Sequence, residues 1–164
     1  MKKNILICGA TGFVGKNLVI ELSKKNRVTA VYNKKPSFKC KNVHWIKADL
    51  RRLDNCLKVT KSCDIIIQAA ATTSGSKDII NAPYIHVTDN AIMNSYLLKA
   101  CFINKVKHFI FTSCTVMYKN SSKPLNENSI DEKKIFQGYY GIAHTKLYVE
   151  KMCEFYSKIS KTKF

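Results

Sequence analysis

The segment Gly9-Ala10-Thr11-Gly12-Phe13-Val14-Gly15 constrains this chain more than any other. It follows a short apolar run at residues 4–8 (NILIC) and opens a stretch where Phe13, Val14, Leu18, Val19 and Leu22 recur at helical spacing. Strand, glycine turn and helix in that order make the first half of a βαβ unit. Glycines permit positive φ and close backbone approach, and they cost backbone entropy where neither is needed. A helix N-terminus adds free N–H groups and partial positive charge, which suits the pyrophosphate of NAD(P). Gly9, Thr11, Gly12, Phe13, Val14 and Gly15 are therefore the expected contacts; the alternative is a tight turn that holds no ligand.

The rest of the chain keeps alternating. Arg27–Tyr32, Val43–Lys47, Asp64–Gln68 and Val106–Thr112 read as strands, and residues 13–25, 50–59, 83–103 and 141–159 as helices. Pro83 suits a first helical turn, and Ile85, Ile92, Tyr96, Leu97 and Ala100 are expected on that helix's core side. Residues 119–137 are polar and read as a surface loop. Such alternation predicts an α/β fold, a Rossmann-type doubly wound parallel sheet of order 3-2-1-4-5, with one domain over 1–164. Ligand is expected at the carboxyl ends, between strands 1 and 4. The sequence stops where a sixth strand would begin, so the expectation is a truncated form lacking the C-terminal substrate-binding part.

Composition narrows the class. With 164 residues and 46% hydrophobic content, one packed core is expected. No apolar run approaches the roughly 20 residues of a membrane span. The opening MKK with ILIC is too short for a signal peptide and runs into the glycine turn, so a cytoplasmic protein is expected. Seven cysteines without a C-x-x-C pair argue against disulfides and structural zinc. His44, His86 and His108 lack ligand spacing and read as structural; no metal is expected. The net charge of +17 would attract polyanions, but lysines occur in nearly every segment and form no block. They read as a solvated surface, with no nucleic-acid or membrane partner.

Cofactor choice turns on the end of strand 2, where an acid would bind a ribose 2′-hydroxyl. Asn33, Lys34 and Lys35 stand there instead, and cations suit a 2′-phosphate, which favours NADP over NAD; lysines capping a surface turn are the alternative. Asp49, beside Leu50, could accept the adenine amino group, and Ala69, Ala70 and Ala71 leave room for the cofactor to cross the end of strand 4.

Together GATGFVG (9–15), ADLRR (48–52), DIIIQAAA (64–71), TDNAIMNSYLLKAC (88–101) and HFIFTSCTVMY (108–118) resemble the extended short-chain dehydrogenase/reductases, the nucleotide-sugar epimerases, dehydratases and reductases. AAATTSG and NAPYIHVTDN are most similar to the GDP-L-fucose synthase branch. The resemblance implies a nucleotide-sugar substrate and hydride transfer at a sugar ring carbon. It also implies a Ser/Thr after strand 5, a Tyr-x-x-x-Lys pair on the next helix, and a homodimer packed through helices 83–103 and 141–159. Tyrosine would move a proton, the ammonium would lower its pKa and hold the nicotinamide ribose, and the hydroxyl would orient the substrate.

The chain departs from that pattern. Four residues before Tyr118, at the Ser/Thr position, stands Cys114, flanked by Ser113 and Thr115. Aligned on Tyr140, the lysine position holds His144; aligned on Lys146, the tyrosine position holds Ile142. Three readings stay open: Tyr139 or Tyr140 reaching toward Lys146, Tyr140 working with His144, or a site that binds cofactor without catalysis. Cys114 is either an acid/base near the sugar, since fucose synthase relatives use a cysteine in this neighbourhood, or a buried structural thiol.

Overall fold

A computed structural model of the chain describes residues 2–73, 78 and 81–164. Ser74 and Gly75 of the family-like segment lie outside the described residues. Five strands, β1 (Asn4–Cys8), β2 (Arg27–Tyr32), β3 (Val43–Lys47), β4 (Ile65–Gln68) and β5 (His108–Phe111), form one parallel sheet of order β3-β2-β1-β4-β5. Asn4–Cys8 pairs with Arg27–Val31 on one side, and Ile5–Cys8 with Ile65–Gln68 on the other. Central strands flanked on both edges are buried on both faces, which is why β1 and β4 are continuous apolar runs.

Alternation along the strands splits the core. Leu6, Cys8, Ile66 and Phe109 face a layer made by α2 (Leu53–Thr60), α3 (Thr88–Ile103) and α4 (Tyr140–Ile159), where Leu97, Leu98, Cys101 and Val149 complete the packing. Ile5, Ile7, Val28 and Ala30 face the opposite side, against Val19 of α1 (Phe13–Leu22). All seven cysteines are free thiols. Among the described residues no group of His, Cys, Asp or Glu could hold a metal ion, and no helix is long and apolar enough to cross a membrane.

Several boundaries differ from the sequence expectation, each for a local reason. The helix expected over 83–103 is two pieces, a 3-10 turn Pro83–His86 and then α3, because the Asn90 amide donates to the His86 carbonyl (2.7 Å) and anchors the earlier turn. The core side of α3 is Met93, Leu97, Leu98 and Cys101 with Asn90 and Asn94, while Ile92 is exposed. Helix α1 stops at Leu22 rather than 25, where the Asn26 amide donates to the Leu22 carbonyl (3.2 Å). Helix α2 begins at Leu53 because the Asp49 carboxylate accepts the Arg51 N–H (3.0 Å), a turn that competes with helix.

The last residues lie along β5. Phe109 N–H donates to Lys163 C=O (2.8 Å), Lys163 N–H to Lys107 C=O (2.9 Å), and the Thr162 hydroxyl to Val106 C=O (2.6 Å). Lys163 thus makes a parallel bridge with His108 at the place where a sixth strand was expected.

Helix α3 ends in a Schellman motif. Val106 N–H donates to Cys101 C=O and Lys105 N–H to Phe102 C=O, with Lys105 at φ 54°. Glycine is the residue favoured there, since a side chain pays a left-handed penalty. Lys105→Gly is expected to stabilise the fold by about 0.5–1 kcal/mol, the gain being partly offset by glycine's unfolded-state entropy. A thermal melt should rise by a few degrees; a fall would show that the lysine side chain contributes more than its backbone costs.

Candidate functional site: the carboxyl ends of the strands

The glycine turn lies against the end of β4. Gly9 has φ +70°, and a Cβ there would sit 2.6 Å from Ala70 N and Cα and 2.7 Å from Ala69 O. A Cβ on Gly15 would sit 2.8 Å from Gly9 C and 2.9 Å from Ala10 Cα, besides striking Gly9 O. Both positions therefore exclude a side chain by contact with backbone, which has nowhere to move. Gly12 N–H donates to Gly9 C=O and Ala10 N–H to Val31 C=O (both 2.9 Å), which ties the turn to β2. Gly12 caps α1 with no side-chain hydrogen bond, and the first turn carries no acid. These free amides and the glycine cradle fit a pyrophosphate. Phe13, 88% exposed, and Val14 stand at the helix entrance.

The segment after β2 comes alongside this turn: the Thr11 hydroxyl donates to Lys35 C=O (3.5 Å), and Asn33, Lys34 and Lys35 are all exposed. Leu50 is buried. The Asp49 carboxylate is engaged by Arg51, whose Nε and Nη2 donate to it at 3.0 and 2.8 Å, while Nη1 donates to Asp89 at 2.9 Å. The Arg51 hydrogen bond holds the Asp49 carboxyl below its ordinary pKa. Arg51 thereby bridges the end of β3 to the start of α3.

A polar network that the sequence reading did not single out holds the end of β4. Gln68, 1% exposed, donates from Nε2 to Asn94 Oδ1 (2.8 Å) and accepts Ala70 N–H at Oε1 (3.1 Å). Asn94 donates to Asn90 C=O (2.8 Å). Asn90 accepts Thr72 N–H and donates to Thr72 C=O (both 2.9 Å). The available signal was the polar Gln68 ending an apolar strand, with Asn90 and Asn94 four apart in an apolar helix. Ala69 and Ala70 are half-buried, and Ala71 is exposed.

Beyond β5, Lys146 is the best-defined group. Its Nζ donates to Thr112 C=O (2.8 Å) and lies 4.5 Å from the centre of the Phe111 ring, and burial lowers its pKa. Cys114 is half-buried against Ala143 and Leu147. Burial pushes its thiol up, against the backbone amides of Val116 and Met117 and the neighbouring Lys146 charge. Ser113 and Thr115 are exposed. Tyr139 caps α4 and packs edge-on against Phe136 (5.5 Å). Tyr140, 53% exposed, lies on His144 at 4.2 Å, and His144 Nε2 is buried without a hydrogen bond. Ile142, half-buried, precedes Lys146 by one helical turn.

The sequence profile of the NAD dependent epimerase/dehydratase family matches residues 5–164. GDP-mannose 3,5-epimerase 1 of rice (Oryza sativa subsp. indica) is 29% identical over 167 residues, covering 96% of this chain and 43% of that protein. A trifunctional UDP-glucose 4,6-dehydratase, UDP-4-keto-6-deoxy-D-glucose 3,5-epimerase and UDP-4-keto-L-rhamnose reductase of Arabidopsis thaliana is 30% identical over 71% of this chain and 20% of its own length. Among solved structures, a UDP-N-acetylglucosamine 4-epimerase from Methanobrevibacter ruminantium superposes with a TM-score of 0.78 at 27% identity, over 96% of this chain and 53% of that one. The chain spans about half the length, or less, of the relatives it matches.

Replacing Asn94 with leucine strands the buried Gln68 amide and removes the hydrogen bond to Asn90. The expected cost is about 1–3 kcal/mol, the penalty of an unsatisfied buried polar group. Urea unfolding would measure it, and an unchanged midpoint would deny the network its structural weight.

Proposed function

Because the chain belongs to the NAD-dependent epimerase/dehydratase family, we propose that it binds NADP or NAD at the glycine turn and serves hydride transfer at a sugar ring carbon of a nucleotide sugar. The observation that carries this reading is the side-chain-free cradle made by Gly9 and Gly15 beneath an uncapped helix N-terminus. Thr11, Gly12, Phe13 and Val14 complete the pyrophosphate contacts, and Ala69, Ala70 and Ala71 leave the end of β4 open. Lys34 and Lys35 favour the 2′-phosphate of NADP. When bound, the nicotinamide supplies the hydride acceptor and donor.

The chain's own residues would orient and move protons. Lys146, anchored on Thr112 C=O, holds the nicotinamide ribose and presents its ammonium beside Cys114. Cys114, Tyr139 or Tyr140 exchanges the proton with the sugar oxygen, and Ser113 or Thr115 orients it. A cytoplasmic location belongs to this reading, as does a homodimer through α3 and α4, whose Ile92, Tyr148 and Phe155 are exposed.

A second reading, a dinucleotide-binding module without turnover, is favoured by one observation. Ile142 occupies the position one turn before Lys146, while Tyr140 lies on His144 instead. Fluorescence titration with NADPH and NADH, alongside turnover with GDP-mannose and UDP-glucose, separates the two. Saturable NADPH binding with turnover that Lys146→Ala abolishes supports the enzyme. Binding without turnover leaves the module, and no binding of either cofactor sinks both.

The lowered pKa of Lys146 gives a pH dependence. The ammonium is lost as pH rises through a value below that of an ordinary lysine, so NADPH affinity should fall with rising pH in the alkaline range. In Lys146→Arg, whose guanidinium stays protonated, that fall should disappear. A fall that persists in Lys146→Arg would assign the titration to another group.

A further inference from the structure

Eight of the lysines dispersed in sequence are gathered in space. A parallel sheet brings the amino ends of all its strands to one pole, opposite the glycine turn. Lys2 and Lys3 lead into β1, Lys24 and Lys25 into β2, Lys58 and Lys61 into β4, and Lys105 and Lys107 into β5. At this pole a cleft of about 720 Å³ opens between the last turns of α1 and α2 and the first residues of β1, β2 and β3. Lys2, Lys24, Arg27, Lys58 and Lys61 line it, and no acidic residue does. Asn4, Asn26 and Asn42 also line it.

Glu21 pairs with one lining cation, Lys24, and Asp64 pairs with Lys107 and accepts the Asn4 N–H, which leaves Lys2, Arg27, Lys58 and Lys61 as the cleft's cations without a carboxylate partner among the described residues. Helix C-termini favour cations, which accounts for Lys24 and Lys58. That effect does not reach Lys2 or Arg27, which precede or begin strands.

We propose that this cleft binds the phosphodiester backbone of nucleic acid without reading its sequence. Several cations and side-chain amides lining one cleft suit successive phosphates. No Trp, Tyr or Phe lines the cleft, so it lacks the aromatic anchors of a membrane interface, and its lining ring is the imidazole of His44. Its concave shape suits a strand better than a flat bilayer. The proposal departs from the sequence expectation of no nucleic-acid partner, and it is independent of the dinucleotide site because the two lie at opposite ends of the sheet.

Fluorescence anisotropy of the full chain with a labelled, mixed-sequence DNA oligonucleotide tests it. If the four cations without a carboxylate partner each meet a phosphate of a single strand, the plot of log affinity against log salt has a slope of about −2.8, and affinity falls about 50-fold between about 50 and 200 mM salt. Arg27→Glu/Lys58→Glu/Lys61→Glu should weaken binding at least about tenfold at low salt, while its melt and its NADPH titration stay as in the parent. The charge-matched Lys119→Glu/Lys123→Glu/Lys133→Glu, in the loop after β5, should bind DNA with little change. Should the triple reversal fail to fold, Lys58→Ala/Lys61→Ala, at two exposed positions, gives the same direction with a smaller effect. A slope near zero, equal weakening by both triple variants, or displacement of the oligonucleotide by phosphatidylserine vesicles but not by unlabelled DNA would overturn the proposal.

Discussion

The backbone contact between the first βα turn and the end of β4 is the constraint on which the rest of the site depends. Gly9 lies against Ala69 and Ala70, and Gly15 lies against Gly9 and Ala10, at separations that leave no space for a Cβ. This contact sets α1 with its amino end over the carboxyl edge of the two central strands. It also requires that the end of β4 hold its course, and the Gln68–Asn94–Asn90–Thr72 hydrogen bonds supply that from behind. A buried polar chain of this kind is worthwhile only when every member is paired, since each stranded group carries a desolvation cost. The proposed dinucleotide site is thus built from one close backbone approach and one fully paired network.

The side of the site beyond β5 is organised differently. Lys146 is held by a backbone carbonyl and an aromatic face, so its position follows from α4 packing on β5 rather than from a tyrosine partner. Tyr140 and His144, four apart, lie against each other with their rings tilted by 44° instead. Burial moves Lys146 and Cys114 in opposite senses, because it disfavours the ammonium in one case and the thiolate in the other. Both shifts bring the two groups toward their neutral forms, so exchange of a proton between Cys114 and a substrate oxygen would depend on how far bound ligand restores charge stabilisation there.

Much of the fold was legible in the sequence because it follows from period and punctuation. Ile5–Cys8 and Ile65–Ile67 are apolar throughout, as strands covered on both faces must be, and the glycine spacing admits few alternatives. The strand order followed from alternation and handedness. Element ends were less legible, since they depend on side chains bonding to nearby backbone: Asn90 at the His86 carbonyl, Asn26 at Leu22, Asp49 at the Arg51 amide. The core face of α3 was also misjudged at Ile92, because two asparagines, not two apolar residues, occupy its buried amino-terminal half.

What the sequence by itself determined is the doubly wound sheet and the cradle at Gly9–Gly15, because glycine content, apolar runs and helical spacing act locally and leave their mark in the order of residues. Tertiary structure alone decided which distant polar groups meet. Gln68 finds Asn94 across 26 positions, Arg51 finds Asp89 across 38, and Lys146 finds Thr112 across 34. The same is true of charge. Eight lysines far apart in the chain come to one basic pole because parallel strands all begin at the same end of the sheet, a convergence that linear spacing does not reveal.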